Sequence, residues 1–140
     1  MKIKNFAMLA GAAAILAACH HHSTSISEPT DLNDQRVFFA FNSSEISDAA
    51  RENLLGQSMY LKSHEDVKVQ IAGNCDERGS TEYNLALGAR RANAAKAVLV
   101  KDGVDAKRVS TISYGKERPL VQGSGENAWK WNRNATTTVK

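Results

Sequence analysis

The chain has 140 residues, of which 42% are hydrophobic, 24% charged and 6% aromatic. That length supports one domain with a real core and little else. Two Cys are too few for a disulfide scaffold, and no apolar run reaches the roughly 20 residues that a membrane-spanning helix needs. The formal net charge is +3, but Lys2 and Lys4 are the only charges in residues 1–18. Without that segment 16 basic and 15 acidic residues remain, a net +1. A nearly neutral body of mixed charge lacks the electrostatic footprint of a nucleic-acid binder.

Lys2 and Lys4 form a short positive start, and residues 6–18 (FAMLAGAAAILAA) follow as an apolar stretch rich in Ala and Leu. This order is that of a secretory signal peptide. Leu16-Ala17-Ala18-Cys19 ends it and resembles the lipobox of bacterial lipoproteins. The resemblance implies cleavage before Cys19, an S-diacylglycerol on its thiol and an N-palmitoyl group. Several acyl chains hold firmly, since each buried methylene contributes about 0.8 kcal/mol. Residue 20 is His rather than the Asp linked to inner-membrane retention, which is compatible with the outer membrane.

His20, His21 and His22 do not converge on one ion from an ordered element, and no carboxylate or Cys ligand set stands near them. No metal and no cofactor are expected. Residues 19–35 are polar, with Ser, Thr, Asn, Asp and one Pro, and read as a flexible lipidated linker.

The folded domain is expected over 36–140. Val37 to Phe41 reads as a strand with Val37, Phe39 and Phe41 on one face. Ser47 stands as an N-cap before Asp48, opening a helix over about 48–62 that contains Gly56. Val67 to Gly73 alternates strictly and is the clearest strand. A polar loop, Asn74 to Thr81, precedes a second helix over about 82–101, with Gly103 as its stop. Val109 to Tyr114 reads as a third strand, 115–127 as loop, Asn127 to Trp131 as a helical turn and 133–139 as the last strand. The pattern is βαβαββ, an α/β (α+β) domain with two helices on one face of a mixed sheet.

The informative stretch is Asn74-Cys75-Asp76-Glu77-Arg78-Gly79, followed by Asn84, Leu87, Gly88, Arg91 and Ala92. At about 100° per residue, Asn84, Arg91, Ala94 and Val98 all fall within about 60° of Leu87. Arg91 and Asn84 therefore lie on the inward stripe. An Arg there needs a partner, because an unpaired buried charge is expensive. Asp76 is the candidate. Such a pair serves either as a purely structural link or as a half-open seat for a zwitterion, with Arg for a carboxylate and Asp for an ammonium.

NCDERGSTEYNLALGARRANAAK resembles the core motif of OmpA-like peptidoglycan-binding domains, and within that family the peptidoglycan-associated lipoproteins. Ser113 to Pro119 and the lipobox–linker–domain layout share the resemblance, which covers about 100 residues of the sequence. It implies non-covalent binding of the meso-diaminopimelate peptide of peptidoglycan. The family's key acid falls on Asp76, for the ligand's ammonium, and its key Arg on Arg91, for the carboxylate. Leu87 forms pocket wall, Phe41 and Asn42 lie near the peptide, and Asn84 belongs to the same motif. The resemblance also implies TolB and other Tol proteins as partners, a role at cell division, and a periplasm-facing position on the outer membrane.

Two departures bear on that reading. The family's first strand often carries acids where this chain has Ala40 and Asn42, which weakens the ammonium end. The last strand, Asn134 to Val139, is unusually polar, and one Arg of the family's pair before it is missing. A lipoprotein acting mainly through protein partners is thus the alternative. A cell-wall hydrolase is disfavoured, since no Cys/His or Ser/His/Asp arrangement appears and His64 is the sole His beyond the 20–22 tract. Cys75 reads as a free thiol, Arg90 as a surface residue, Glu77 with Arg78 as a local pair, and Trp129 and Trp131 as core.

Overall fold

A computed structural model describes residues 25–140. The signal segment, Cys19 and the His20–His22 tract lie outside the described residues. The described elements are β1 (Gln35–Phe38), α1 (Asp48–Ser63), β2 (Val69–Asn74), α2 (Thr81–Lys101), β3 (Val109–Gly115), α3 (Glu126–Asn132) and β4 (Asn134–Val139). A single 3-10 turn, Ala106–Arg108, leads into β3.

The sheet order is β1-β4-β2-β3. β4 runs antiparallel to both β1 and β2, while β2 and β3 are parallel. A parallel neighbour needs a long crossover, and α2 supplies it. Helices α1 and α2 cover one face. Val69 and Ile71 of β2 and Val37 of β1 point into that layer, where Leu54, Leu61, Ala92, Ala95 and Leu99 of the helices meet them. The period-2 alternation of β2 thus coincides with its buried face. This is the expected α+β domain, with α3 as a third, short helix.

Both long helices start on their serines. Ser47 accepts from Ala50 N at 3.1 Å and Ser80 from Tyr83 N at 3.1 Å, which satisfies one exposed N–H in each first turn. Gly56 sits inside α1 for a packing reason: a Cβ there would stand 2.7 Å from the carbonyl oxygen of Ser27. Residues 27–32, expected in the linker, are in fact laid along α1. Leu32 is fully buried in the core, and Glu28 accepts from Ser63 Oγ at 2.8 Å. An apolar residue in a polar segment found the core, and the packed body begins before β1.

The first strand also differs from expectation. It covers Gln35–Phe38, and the chain turns away after Phe39. Phe39 stays buried, but Phe41 is 58% exposed. The turn ends on Asn42 at φ +55°, a left-handed conformation that Asn tolerates better than most side chains. The polar last strand has a specific remedy. Thr137 faces inward and donates to Gln57 Oε1 at 2.7 Å, and the Gln57 amide donates to Asn53 Oδ1 at 2.7 Å. A buried hydroxyl costs little when paired in this way.

Helix α2 touches β2 backbone to backbone at two glycines. A Cβ at Gly73 would lie 1.7 Å from the Gly88 carbonyl oxygen, and one at Gly88 would lie 2.9 Å from that of Gly73. This contact sets the first half of α2 against the end of β2, where the informative motif lies. Gly73→Ala is expected to cost about 3 kcal/mol, the upper range for overpacking. Urea unfolding should show a lower midpoint with an unchanged slope.

Candidate functional site

The end of β2, the turn after β1 and the first half of α2 converge on a small cavity of about 10 Å³. Its lining includes all six residues singled out from the sequence: Phe41, Asn42, Asp76, Asn84, Leu87 and Arg91. Cys75, Arg78 and Tyr83 complete it. The helical stripe placed Asn84, Leu87 and Arg91 correctly, since all three are buried.

Arg91 forms the floor and is 1% exposed. Its Nε donates to the Ser43 carbonyl at 2.9 Å, one terminal nitrogen to the Asn74 carbonyl at 2.8 Å and the other to the Ala40 carbonyl at 3.1 Å. One guanidinium therefore ties the β1–α1 turn to the end of β2. Burial lowers its pKa, with the Cys75 and Asp76 side chains acting the other way. An arginine still keeps its charge at any working pH.

The expected contact between Asp76 and Arg91 is not made. Arg91 takes backbone carbonyls as its partners. Asp76 is held instead by Arg78 and Arg133. Arg78 approaches it with Nε at 3.2 Å from Oδ1 and a terminal nitrogen at 2.8 Å from Oδ2, a two-pronged pair. The Arg78 backbone N–H adds a third bond at 3.1 Å, and Arg133 reaches Oδ2 at 3.5 Å. Burial alone would raise the Asp76 pKa. The side-chain and backbone hydrogen bonds of Arg78, with help from Arg133, outweigh it and hold the carboxyl below the usual range.

Arg133 just precedes β4 and is as firmly tied. Its Nε donates to the Phe39 carbonyl at 2.9 Å, and its terminal nitrogens reach Glu126 at 3.1 and 2.5 Å. These bonds to Glu126, aided by Asp76, raise its pKa against the effect of burial. Arg78 is different. Its guanidinium lies between two aromatic faces, 3.7 Å from the Phe41 ring centroid and 3.9 Å from that of Trp129, a double cation–π contact.

Glu77 does not pair with Arg78. It accepts from Ser124 Oγ and from Trp129 Nε1, the latter at 3.1 Å. Neither Trp is core: Trp129 is half-buried over Arg78, and Trp131 is exposed and edge-on to Phe38 at 5.5 Å. The Asn84 amide is committed to the loop, donating to the carbonyls of Arg78 and Ser80 at 2.9 and 3.0 Å. The Cys75 thiol is buried and donates to the Asn84 carbonyl at 3.3 Å. Burial pushes its pKa up against the pull of Arg91, which is the wrong direction for a nucleophile. Arg90 is exposed, as expected.

Arg78, Arg133 and Trp129 are the site residues that sequence reasoning missed. Arg78 stands in the motif itself, two residues past Asp76. The signal for Arg133 was its place before a strand that returns to the centre of the sheet. His64 stacks on Tyr60 at the end of α1, outside the cavity lining. Among the described residues no group of three His, Cys, Asp or Glu gathers to hold a metal ion.

The native-state pKa of Asp76 is depressed, so its contribution to stability is fully present above the unfolded-state value of about 3.9. That contribution is lost as pH falls through the lower native value. Stability of the parent should therefore drop below about pH 4. Asp76→Asn should cost about 3 kcal/mol at pH 7, by leaving buried arginine charge short of its partner, and should flatten the acid dependence in denaturant titrations between pH 7 and 2.

Comparison with known proteins gives the same frame. The pattern of the OmpA family matches residues 38–133. The peptidoglycan-associated lipoprotein of Mesorhizobium japonicum is 46% identical over 104 residues, covering 74% of this chain and 62% of that protein. That of Haemophilus influenzae is 38% identical, covering 91% of this chain and 92% of that protein. The chain thus spans under two thirds of some relatives and nearly all of others. The crystal structure of the peptidoglycan-associated lipoprotein from Burkholderia pseudomallei superposes with a TM-score of 0.74 at 40% identity, over 76% of this chain and 90% of that one. The C-terminal domain of Helicobacter pylori MotB shares the fold at 19% identity, with a TM-score of 0.70 over 75% of this chain and 83% of that one. With the family pattern running from the end of β1 through Arg133, the chain belongs to the OmpA family.

Proposed function

We propose that this chain is an outer-membrane lipoprotein whose folded domain grips peptidoglycan without covalent chemistry. The observation that carries the reading is the single cavity gathering Phe41, Asn42, Asp76, Asn84, Leu87 and Arg91. The names of its relatives, peptidoglycan-associated lipoproteins, support it. In this reading residues 1–18 are the signal peptide, Cys19 carries the lipid, and the segment after it is the tether to a domain facing the periplasm.

The ligand is the meso-diaminopimelate peptide of the cell wall. Its second amino-acid centre is a zwitterion, and the cavity offers one buried carboxylate and one buried guanidinium. Asp76 receives the ammonium. Arg91 supplies fixed positive charge for the carboxylate, strengthened by its removal from water. It has already spent three donors on backbone carbonyls, so at most two of its five N–H groups remain for the ligand. Leu87 and Phe41 supply apolar wall. Nothing in this arrangement activates a nucleophile, and the reading is of a binding module rather than an enzyme.

A lipid at one end and a cell-wall grip at the other make a mechanical link between outer membrane and peptidoglycan. Many weak links in one envelope hold together through multivalency. The Tol system, with TolB as direct partner, is the setting in which such a link acts on envelope constriction at division. The alternative role, mainly through protein partners, draws support from one observation: Asp76 is already engaged by two arginines.

The mature chain, residues 19–140 with Cys19→Ser to keep it soluble, should sediment with diaminopimelate-type sacculi and release no fragments. Asp76→Ala, checked for folding, should weaken retention at least tenfold, since a lost charge-assisted bond is worth about 1.5–3 kcal/mol. A folded parent left in the supernatant would contradict the cell-wall reading and favour the protein-partner alternative.

A further inference from the structure

Asp76 has no free acceptor for an incoming cation. An ionised carboxylate offers about four lone-pair sites. Here the Arg78 Nε, a terminal Arg78 nitrogen, the Arg78 backbone N–H and an Arg133 nitrogen all point at it. The space beside it, about 10 Å³, is close to what one water requires. An ammonium on a carbon stem does not fit while this arrangement stands, so one of the two arginines must yield.

The two are not equivalent. The Arg133 side chain is 8% exposed and is pinned by the Phe39 carbonyl and by Glu126. The Arg78 side chain is 30% exposed, and its hydrogen bonds go to Asp76 alone. What else holds it is the pair of ring faces, Phe41 and Trp129. Phe41 is itself mostly exposed. Arg78 therefore has an open side through which to leave and Arg133 has none.

We propose that Arg78 is an internal competitor for the ligand and so a specificity-determining residue of the site. Its guanidinium occupies the seat of the ligand's ammonium group on Asp76, and binding exchanges one cation for the other. The proposal rests on the reading that Asp76 receives that ammonium. When Arg78 swings out, Asp76 keeps its bond to Arg133 and the slot between Phe41 and Trp129 opens. A ligand must then bring its own positive charge to replace the one displaced. A peptide whose amine is acetylated leaves the exchange uncompensated and is rejected. Apparent affinity is reduced by the fraction of time that Arg78 is seated.

The test uses the mature chain, residues 19–140 with Cys19→Ser and Trp131→Phe, so that Trp129 alone reports by fluorescence. The probe is a tripeptide ending in meso-diaminopimelate, with its side-chain-amine-acetylated form as control. Calorimetry on Arg78→Gln should give roughly tenfold tighter binding of the tripeptide than the parent, with Arg78→Lys between them. Adding tripeptide to the parent should shift Trp129 emission towards that of unliganded Arg78→Gln, and the acetylated form should not. Thermal melts of the variants establish that they are folded.

Equal or weaker binding by folded Arg78→Gln, or a Trp129 signal unmoved by bound tripeptide, would overturn the competitor role while leaving the pocket reading intact. Absence of binding in both the parent and Arg78→Gln would overturn the pocket reading and the competitor role together. Binding by Arg78→Gln alone would support both.

Discussion

The site depends on one buried guanidinium. Arg91 lies on the inward stripe of α2 and spends its donors on the carbonyls of Ala40, Ser43 and Asn74. Those carbonyls belong to two segments far apart in sequence, the turn after β1 and the end of β2. Ala40 and Ser43 stand in a turn outside the sheet, and Asn74 is the last residue of β2, beside a register shift. A charged donor inside the protein is costly unless hydrogen bonds surround it. The three carbonyls meet that need and fasten the turn to the strand. The Gly73–Gly88 contact makes this possible by bringing the backbone of α2 down onto β2.

A second layer of charge is built on that floor. Asp76 lies between Arg78 and Arg133, and Arg133 continues to Glu126 on α3 and to the Phe39 carbonyl. The chain thus closes its site with pieces from the β1–α1 turn, the β2–α2 loop, α3 and the start of β4. The aromatic rings of Phe41 and Trp129 cover Arg78 from both sides. A site assembled in this way is suited to holding a charged peptide in place. The charges of Asp76, Arg78, Arg133 and Glu126 are paired among themselves, and the Cys75 thiol is buried with its pKa pushed up. The proposed tethering role asks for these properties.

Much of this was legible in the sequence. The alternation of Val69 and Ile71, the cap Ser47 and the stripe through Asn84, Leu87 and Arg91 all follow from local periodicity and local hydrogen bonding. The motif from Asn74 to Ala92 holds seven of the cavity's nine lining residues, all but Phe41 and Asn42, within one short span. What sequence could not show was partner choice. Arg91 pairs with backbone carbonyls, and every residue has one of those, so no residue type announces it. Arg133 reaches Asp76 across 57 positions. Phe41 alternates correctly with Phe39, yet the turn at Asn42 carries it out to solvent. Leu32 is one of two apolar residues in a polar stretch, and it is buried in a core that exists only once helices and sheet have come together. The polar last strand is accommodated by Gln57, 80 positions away.

The central claim is that Arg91 holds the unliganded site together, whatever else it does for a ligand. Denaturant unfolding of folded Arg91→Lys in the absence of any peptide tests this most directly. Lysine keeps the charge but cannot reach three carbonyls in a plane. The account predicts a loss of at least about 2 kcal/mol relative to the parent, from the charged hydrogen bonds that tie the β1–α1 turn to the end of β2. Unchanged stability, with only peptide binding impaired, would contradict it and make Arg91 a ligand contact alone.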